Sequence, residues 1–111
     1  MIANVRPDMQ VVREEIFGPV LVATAFDEID EVVHLANDSP YGLAASIWSN
    51  DLKQVMGLIP RLKAGTVWVN AHNLLDPSMP FGGYKQSGLG REMGHAAIEA
   101  FTETKSVCIA Y

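Results

Sequence analysis

A parallel α/β architecture follows from three features of the 111-residue sequence. Short apolar, β-branched runs alternate with apolar stripes at helical spacing, the connections between them are short, and glycine or proline marks most of the changes. Strand, helix, strand, helix, strand in that order is the pattern of a βαβαβ unit, in which helical crossovers join parallel strands.

Each element has its own local reason. Pro19 to Ala25 is an apolar run of the kind that forms a buried strand. Asp27 offers a side-chain acceptor for a helix N-terminus, and Glu28, Asp30 and Glu31 place negative charge where the helix dipole favours it. Ile29, Val32, Val33 and Ala36 then form one apolar stripe. Asn37-Asp38-Ser39-Pro40-Tyr41-Gly42 stops that helix, and Leu43 to Trp48 reads as the second strand. Ser49 or Asn50 can cap a second helix carrying Leu52, Val55, Met56 and Ile59. Pro60 should kink it or end it early, because the ring removes a donor and clashes with the preceding turn. Gly65 opens the third strand, Thr66 to Val69. Ala71 to Gly90 reads as a long ordered loop anchored by Leu74, Leu75, Phe81 and Tyr84. Arg91 to Glu103 resumes helical spacing, and Thr104 to Tyr111 reads as a terminal strand.

Composition narrows the function classes. Hydrophobic residues make up 49% and charged residues 19%, which is the balance of a soluble globular chain. Eight Lys and Arg against 13 Asp and Glu give a net charge of -5 with no basic run, so nucleic acid and anionic membrane are not expected partners. No apolar run approaches the roughly 20 residues of a membrane helix. Cys108 is the single cysteine and has no internal disulfide partner, which makes a reducing cytoplasm the expectation.

Several residues invite a chemical reading that the spacing does not support. The Gly82 to Gly90 stretch is glycine-rich, yet a Walker loop needs glycine where Tyr84 stands, and a dinucleotide pattern begun at Gly88 needs glycine where Met93 stands. His34, His72 and His95 are too scattered for a ligand pair, so no metal is expected. Cys108 sits in a Val-Cys-Ile run and reads as a small hydrophobe rather than a nucleophile. Glu14 and Glu15 precede a tight turn into a strand, where they can be a solvated pair or can accept hydrogen bonds from a diol while Phe17 packs on a flat heterocycle. Glu92, near a helix start, reads as dipole compensation.

Four motifs taken in order change the picture. They are Glu14-Glu15-Ile16-Phe17-Gly18-Pro19-Val20, Asn37 to Ala45, Gly65-Thr66-Val67-Trp68-Val69-Asn70, and Pro80-Phe81-Gly82-Gly83-Tyr84-Lys85-Gln86-Ser87-Gly88-Leu89-Gly90-Arg91-Glu92. In this order they resemble the aldehyde dehydrogenase superfamily, and specifically its C-terminal fifth to quarter. Members oxidise aldehydes to carboxylates with NAD or NADP, through a cysteine thiolate that attacks the carbonyl. The resemblance implies that residues 1–103 are the C-terminal part of the catalytic domain and that 104–111 form a terminal oligomerisation strand. It implies cofactor contacts from Glu15, to the nicotinamide ribose, and from Phe17, to the nicotinamide. Leu75 and Phe81 match positions lining the aldehyde tunnel, and Glu92 matches a buried glutamate implicated in some members in proton relay from the active site. Arg91 and Glu103 match an ion pair near a subunit interface, so a homo-oligomer is implied. The family's nucleophile, general base and nucleotide-binding half lie upstream of the matching region. The chain alone is accordingly expected to be inactive and to bind no cofactor. The competing expectation is a non-catalytic interaction or oligomerisation module that uses its C-terminal strand. The His72 to Pro77 stretch with Phe81 is apolar enough to favour a hydrophobic or aromatic aldehyde.

Overall fold

The computed structural model describes residues 1–111. Helix α1 spans Gln10–Arg13, α2 Ile29–Asn37, α3 Leu52–Leu58 and α4 Gly94–Glu99. Strands β1 (Tyr41–Gly42), β2 (Ala44–Ile47), β3 (Thr66–Val69) and β4 (Tyr84–Lys85) form two separate two-stranded sheets.

The centre of the molecule is one βαβ unit. β2 and β3 run parallel in the register Ala44 to Thr66 through Ile47 to Val69, and α3 crosses between them. Asp51 caps α3 by accepting the Gln54 backbone N–H at 3.0 Å. Ser49, one of the two residues expected to cap, instead accepts from the Asp51 backbone N–H at 3.1 Å. The helix ends at Leu58 and gives way to a 3-10 turn over Ile59–Arg61, in which Pro60 sits at a position that needs no donor. Val55, on the inner face of α3, is 1% exposed.

The expected three-stranded unit is not what forms. The Pro19 to Ala25 run contributes a single parallel bridge, Ile2 to Val22, and stays apart from β2. A short apolar run becomes a ladder only where a neighbour presents a free backbone edge, and here the nearest neighbour is the N-terminal segment. Conversely, β1 and β4 pair antiparallel, Tyr41 with Lys85 and Gly42 with Tyr84, inside what reads as loop. The first helical turn expected from Arg91 is also missing. Phe81 and Glu92 exchange both backbone hydrogen bonds at 2.7 Å, which holds residue 92 extended and delays α4 to Gly94. Residues 104–111 make no ladder within this chain and are exposed throughout.

Three distant segments meet at Gly42. Its N–H donates to Ser87 Oγ at 2.9 Å, and its carbonyl accepts from the Gly65 N–H at 3.0 Å. A Cβ on Gly65 would overlap the Gly82 carbonyl oxygen, and one on Gly83 would meet Ser87 at 2.5 Å. The glycines of this stretch therefore serve close backbone packing. Lys85, at φ 53°, sends its ammonium to the carbonyls of Asn37 and Ser39, both at 2.8 Å, and so satisfies the C-terminal end of α2.

The apolar interior is open. Val55, Gly42 and Gly83 are the only fully buried residues, and Phe17, Leu89 and Phe101 are almost wholly exposed. The molecule measures 74 × 33 × 23 Å. No helix is long and apolar enough to cross a membrane.

Candidate functional site

Glu14, in extended backbone, and Glu15 follow α1 and differ in what they hold. The Glu14 carboxylate accepts from the Gln10 side-chain amide at 2.8 Å. Glu15 accepts nothing from the chain and lines an open cleft of about 540 Å³ with Val12, Ile16, Val20, Tyr41 and Leu43. Phe17, two residues on, is 99% exposed. A turn with Gly18 N–H on the Ile16 carbonyl and Val20 N–H on the Gly18 carbonyl, both 2.8 Å, sets the ring clear of the chain. A free carboxylate two residues from an uncovered aromatic ring suits a polyhydroxyl group joined to a flat ring.

Leu75 and Phe81 lie together in a second cleft, of about 380 Å³, whose other walls include Val67, Trp68, Leu74, Met79 and Pro80. The segment that carries Leu75 leaves β3 through Asn70, held at φ 50°. Asn70 pairs its side-chain amide with the Ser49 backbone in both directions, at 2.9 Å each. Trp68 Nε1 donates to the Leu74 carbonyl at 2.7 Å. Asp76, the one charged lining residue, accepts the Ser78 backbone N–H at 2.8 Å and the Ser78 hydroxyl at 2.7 Å. Those two donors hold its carboxyl below the usual carboxylate range, the backbone donor more strongly. The cleft is thus apolar with its acid tied down at one side, which suits an apolar group better than a cation.

Glu92 is joined to this second cleft through the paired backbone of Phe81 but does not line it, and its side chain is exposed in this chain, not buried as the resemblance implied. Arg91 and Glu103 do not pair within this chain. The Arg91 guanidinium donates to the carbonyls of Gly90 at 2.6 Å and Gly83 at 3.1 Å and lies 5.2 Å over the Tyr84 ring. Glu103 sits beyond the end of α4 in the exposed terminal segment and forms no ion pair. Within this chain one guanidinium nitrogen of Arg91 serves the two backbone carbonyls, and the cation lies over the Tyr84 ring.

Sequence reasoning missed a hydrogen bond between Ser46 Oγ and His72 Nδ1, at 2.9 Å. The His72 ring also meets Trp68 edge-on, with centroids 5.4 Å apart and planes at 67°. The two residues are 26 positions apart, and the only trace in the sequence is a polar serine within the apolar β2 run. Cys108 is free and exposed, and no group of His, Cys, Asp and Glu side chains is placed to hold a metal.

Comparison with known proteins gives a consistent result. A family model described as the aldehyde dehydrogenase family matches residues 1–107. A phenylacetaldehyde dehydrogenase from Pseudomonas fluorescens is 58% identical over 106 residues, covering 96% of this chain and 21% of that protein. Among solved structures, an NAD+ complex of aldehyde dehydrogenase from Bacillus cereus superposes with a TM-score of 0.90 at 52% identity, covering 95% of this chain and 21% of the other. An indole-3-acetaldehyde dehydrogenase mutant from P. syringae, in complex with NAD+ and IAA, gives a TM-score of 0.89 at 46% identity, with the same coverage. The chain spans about a fifth of the length of the relatives it matches.

Proposed function

Since the chain belongs to the aldehyde dehydrogenase family, we propose that it is the C-terminal portion of an enzyme oxidising aldehydes to carboxylates with NAD or NADP. In this reading residues 1–103 complete the catalytic domain, 104–111 add a strand to a second copy of the enzyme, and the cytoplasm is its compartment. The observation that carries it is the open interior: a self-standing interaction module would close its own core, whereas this chain leaves Ile16, Leu21, Phe26, Leu43 and Leu52 uncovered.

When bound, NAD or NADP supplies the hydride acceptor. Glu15 accepts hydrogen bonds from the hydroxyls of the nicotinamide ribose, and its carboxylate is free to do so because Glu14, not Glu15, is engaged by Gln10. Phe17 offers its uncovered face to the nicotinamide. Leu75 and Phe81 form part of the aldehyde channel, where apolar walls exclude water and select by shape. Glu92, beside Phe81, passes a proton between the channel and bulk water. Arg91 and Glu103 meet only once a neighbouring subunit orders the terminal segment. The channel's lining favours an apolar or aromatic aldehyde.

The 111 residues alone do not carry out the reaction, since their single thiol, Cys108, is exposed in the terminal segment and lines neither cleft. The test is direct. In the whole enzyme, Glu15→Ala should raise the KM for NAD about tenfold or more with the KM for phenylacetaldehyde unchanged, as expected for a lost hydrogen-bonded carboxylate. An unchanged NAD affinity and hydride-transfer rate removes Glu15 from the site, and turnover by the isolated chain that depends on Cys108 removes the whole reading.

A further inference from the structure

We propose that His72 is a positioning residue for the cleft lined by Leu75 and Phe81, holding through Ser46 and Trp68 the segment that carries Leu75; this rests on the aldehyde-oxidising reading above. The segment from Asn70 to Leu75 includes two non-glycine residues in left-handed backbone, Asn70 at φ 50° and Asn73 at φ 57°. Such residues persist where their surroundings over-determine them. Three ties do so here. Asn70 is fixed to Ser49, Leu74 is fixed to the Trp68 indole at 2.7 Å, and His72 is fixed to Ser46 at 2.9 Å.

The His72 tie differs from the other two because it joins three elements at once. Ser46 belongs to β2, Trp68 belongs to β3 and is itself a cleft wall, and His72 stands on the departing segment. The edge-on ring contact fixes the indole that in turn fixes Leu74, the residue before Leu75. Losing the imidazole releases the indole and the segment together, so Leu75 loses its fixed place against the substrate. Neither His72 nor Ser46 lines the cleft that holds Glu15, so cofactor binding is a separate matter.

The experiment is steady-state kinetics on the whole enzyme with phenylacetaldehyde and NAD. His72→Ala and Ser46→Ala should each raise the KM for phenylacetaldehyde, by about two- to tenfold for a lost hydrogen bond, with the KM for NAD unchanged. The Ser46→Ala effect should vanish in the His72→Ala background, because one hydrogen bond accounts for it. His72→Asn, which keeps a hydrogen-bonding atom near the position of Nδ1 but not the ring that meets Trp68, should recover the part of the loss that Ser46→Ala alone shows. The proposal is overturned by unchanged aldehyde KM, by equal changes in both KM values, or by a Ser46 effect that persists without His72. A whole enzyme that oxidises no aldehyde overturns the functional reading instead, and this one with it.

Discussion

On their own, these 111 residues leave apolar faces in water, and the dimensions set the cost. The chain presents 9123 Å² of accessible surface, where a folded monomer of its mass presents about 6,000 Å². Its Cα radius of gyration is 18.7 Å, where a self-sufficient domain of this length has about 13 Å. The excess surface is about 3,100 Å², and about 55–60% of a folded surface is apolar. At ~25 cal/mol per Å², leaving that excess uncovered forfeits on the order of 40 kcal/mol, and even half that figure exceeds the net stability of a typical domain, about 5–15 kcal/mol. The isolated chain should therefore lose this structure in dilute buffer. Small-angle scattering should show either an expanded or an associating particle, a hydrophobic dye should bind strongly, and urea should produce no sharp transition. A monomer with a radius of gyration near 13 Å that unfolds in one step, with a urea slope of about 1 kcal/mol/M or more, would show instead that the chain closes a core of its own.

Other consequences can be measured in the whole enzyme. Leu75→Ala should weaken discrimination in favour of bulky apolar aldehydes by about 1–3 kcal/mol, read as the ratio of kcat/KM for phenylacetaldehyde and acetaldehyde. Gly65→Ala places a methyl against the Gly82 carbonyl, a backbone atom that cannot swing aside, and should lower stability by about 1–3 kcal/mol in thermal or urea unfolding. The Asp76 carboxyl lies below its ordinary value of 3.8, so its stabilising contribution is fully present above that pH and is lost as pH falls through the depressed value. Ser78→Ala should move the Asp76 titration upward, seen by carboxyl NMR, and the backbone donor should keep part of the depression.

The legible parts of this fold are those decided within a few residues. The stripe from Ile29 to Ala36 became α2 and the run after Gly65 became β3, because helical periodicity and β-branching act locally. Pro60 ended its helix for the same reason. What escaped depends on distant neighbours. The Pro19 to Ala25 run has strand chemistry and finds almost no free edge here, and Tyr84–Lys85 looks like loop until Tyr41–Gly42 lies beside it. The same division holds for the site. Leu75 and Phe81 line one cleft, and Glu15 and Phe17 stand free. The Ser46 to His72 bond joins residues whose proximity only the parallel register of β2 and β3 creates. Arg91 shows the converse, since its nearest acceptors are backbone carbonyls that no motif spells out.

The meeting of three strands of chain at Gly42 has a topological consequence. Residues 42 and 87 are joined by a hydrogen bond, and 42 and 65 by another, so the stretch between them is a closed circuit fastened at its own ends. In an enzyme of the kind proposed above, a protease that nicked the chain between Asn73 and Ser78 would sever the covalent thread without parting the pieces. The cut would show on a denaturing gel while the two halves continued to travel as a single particle.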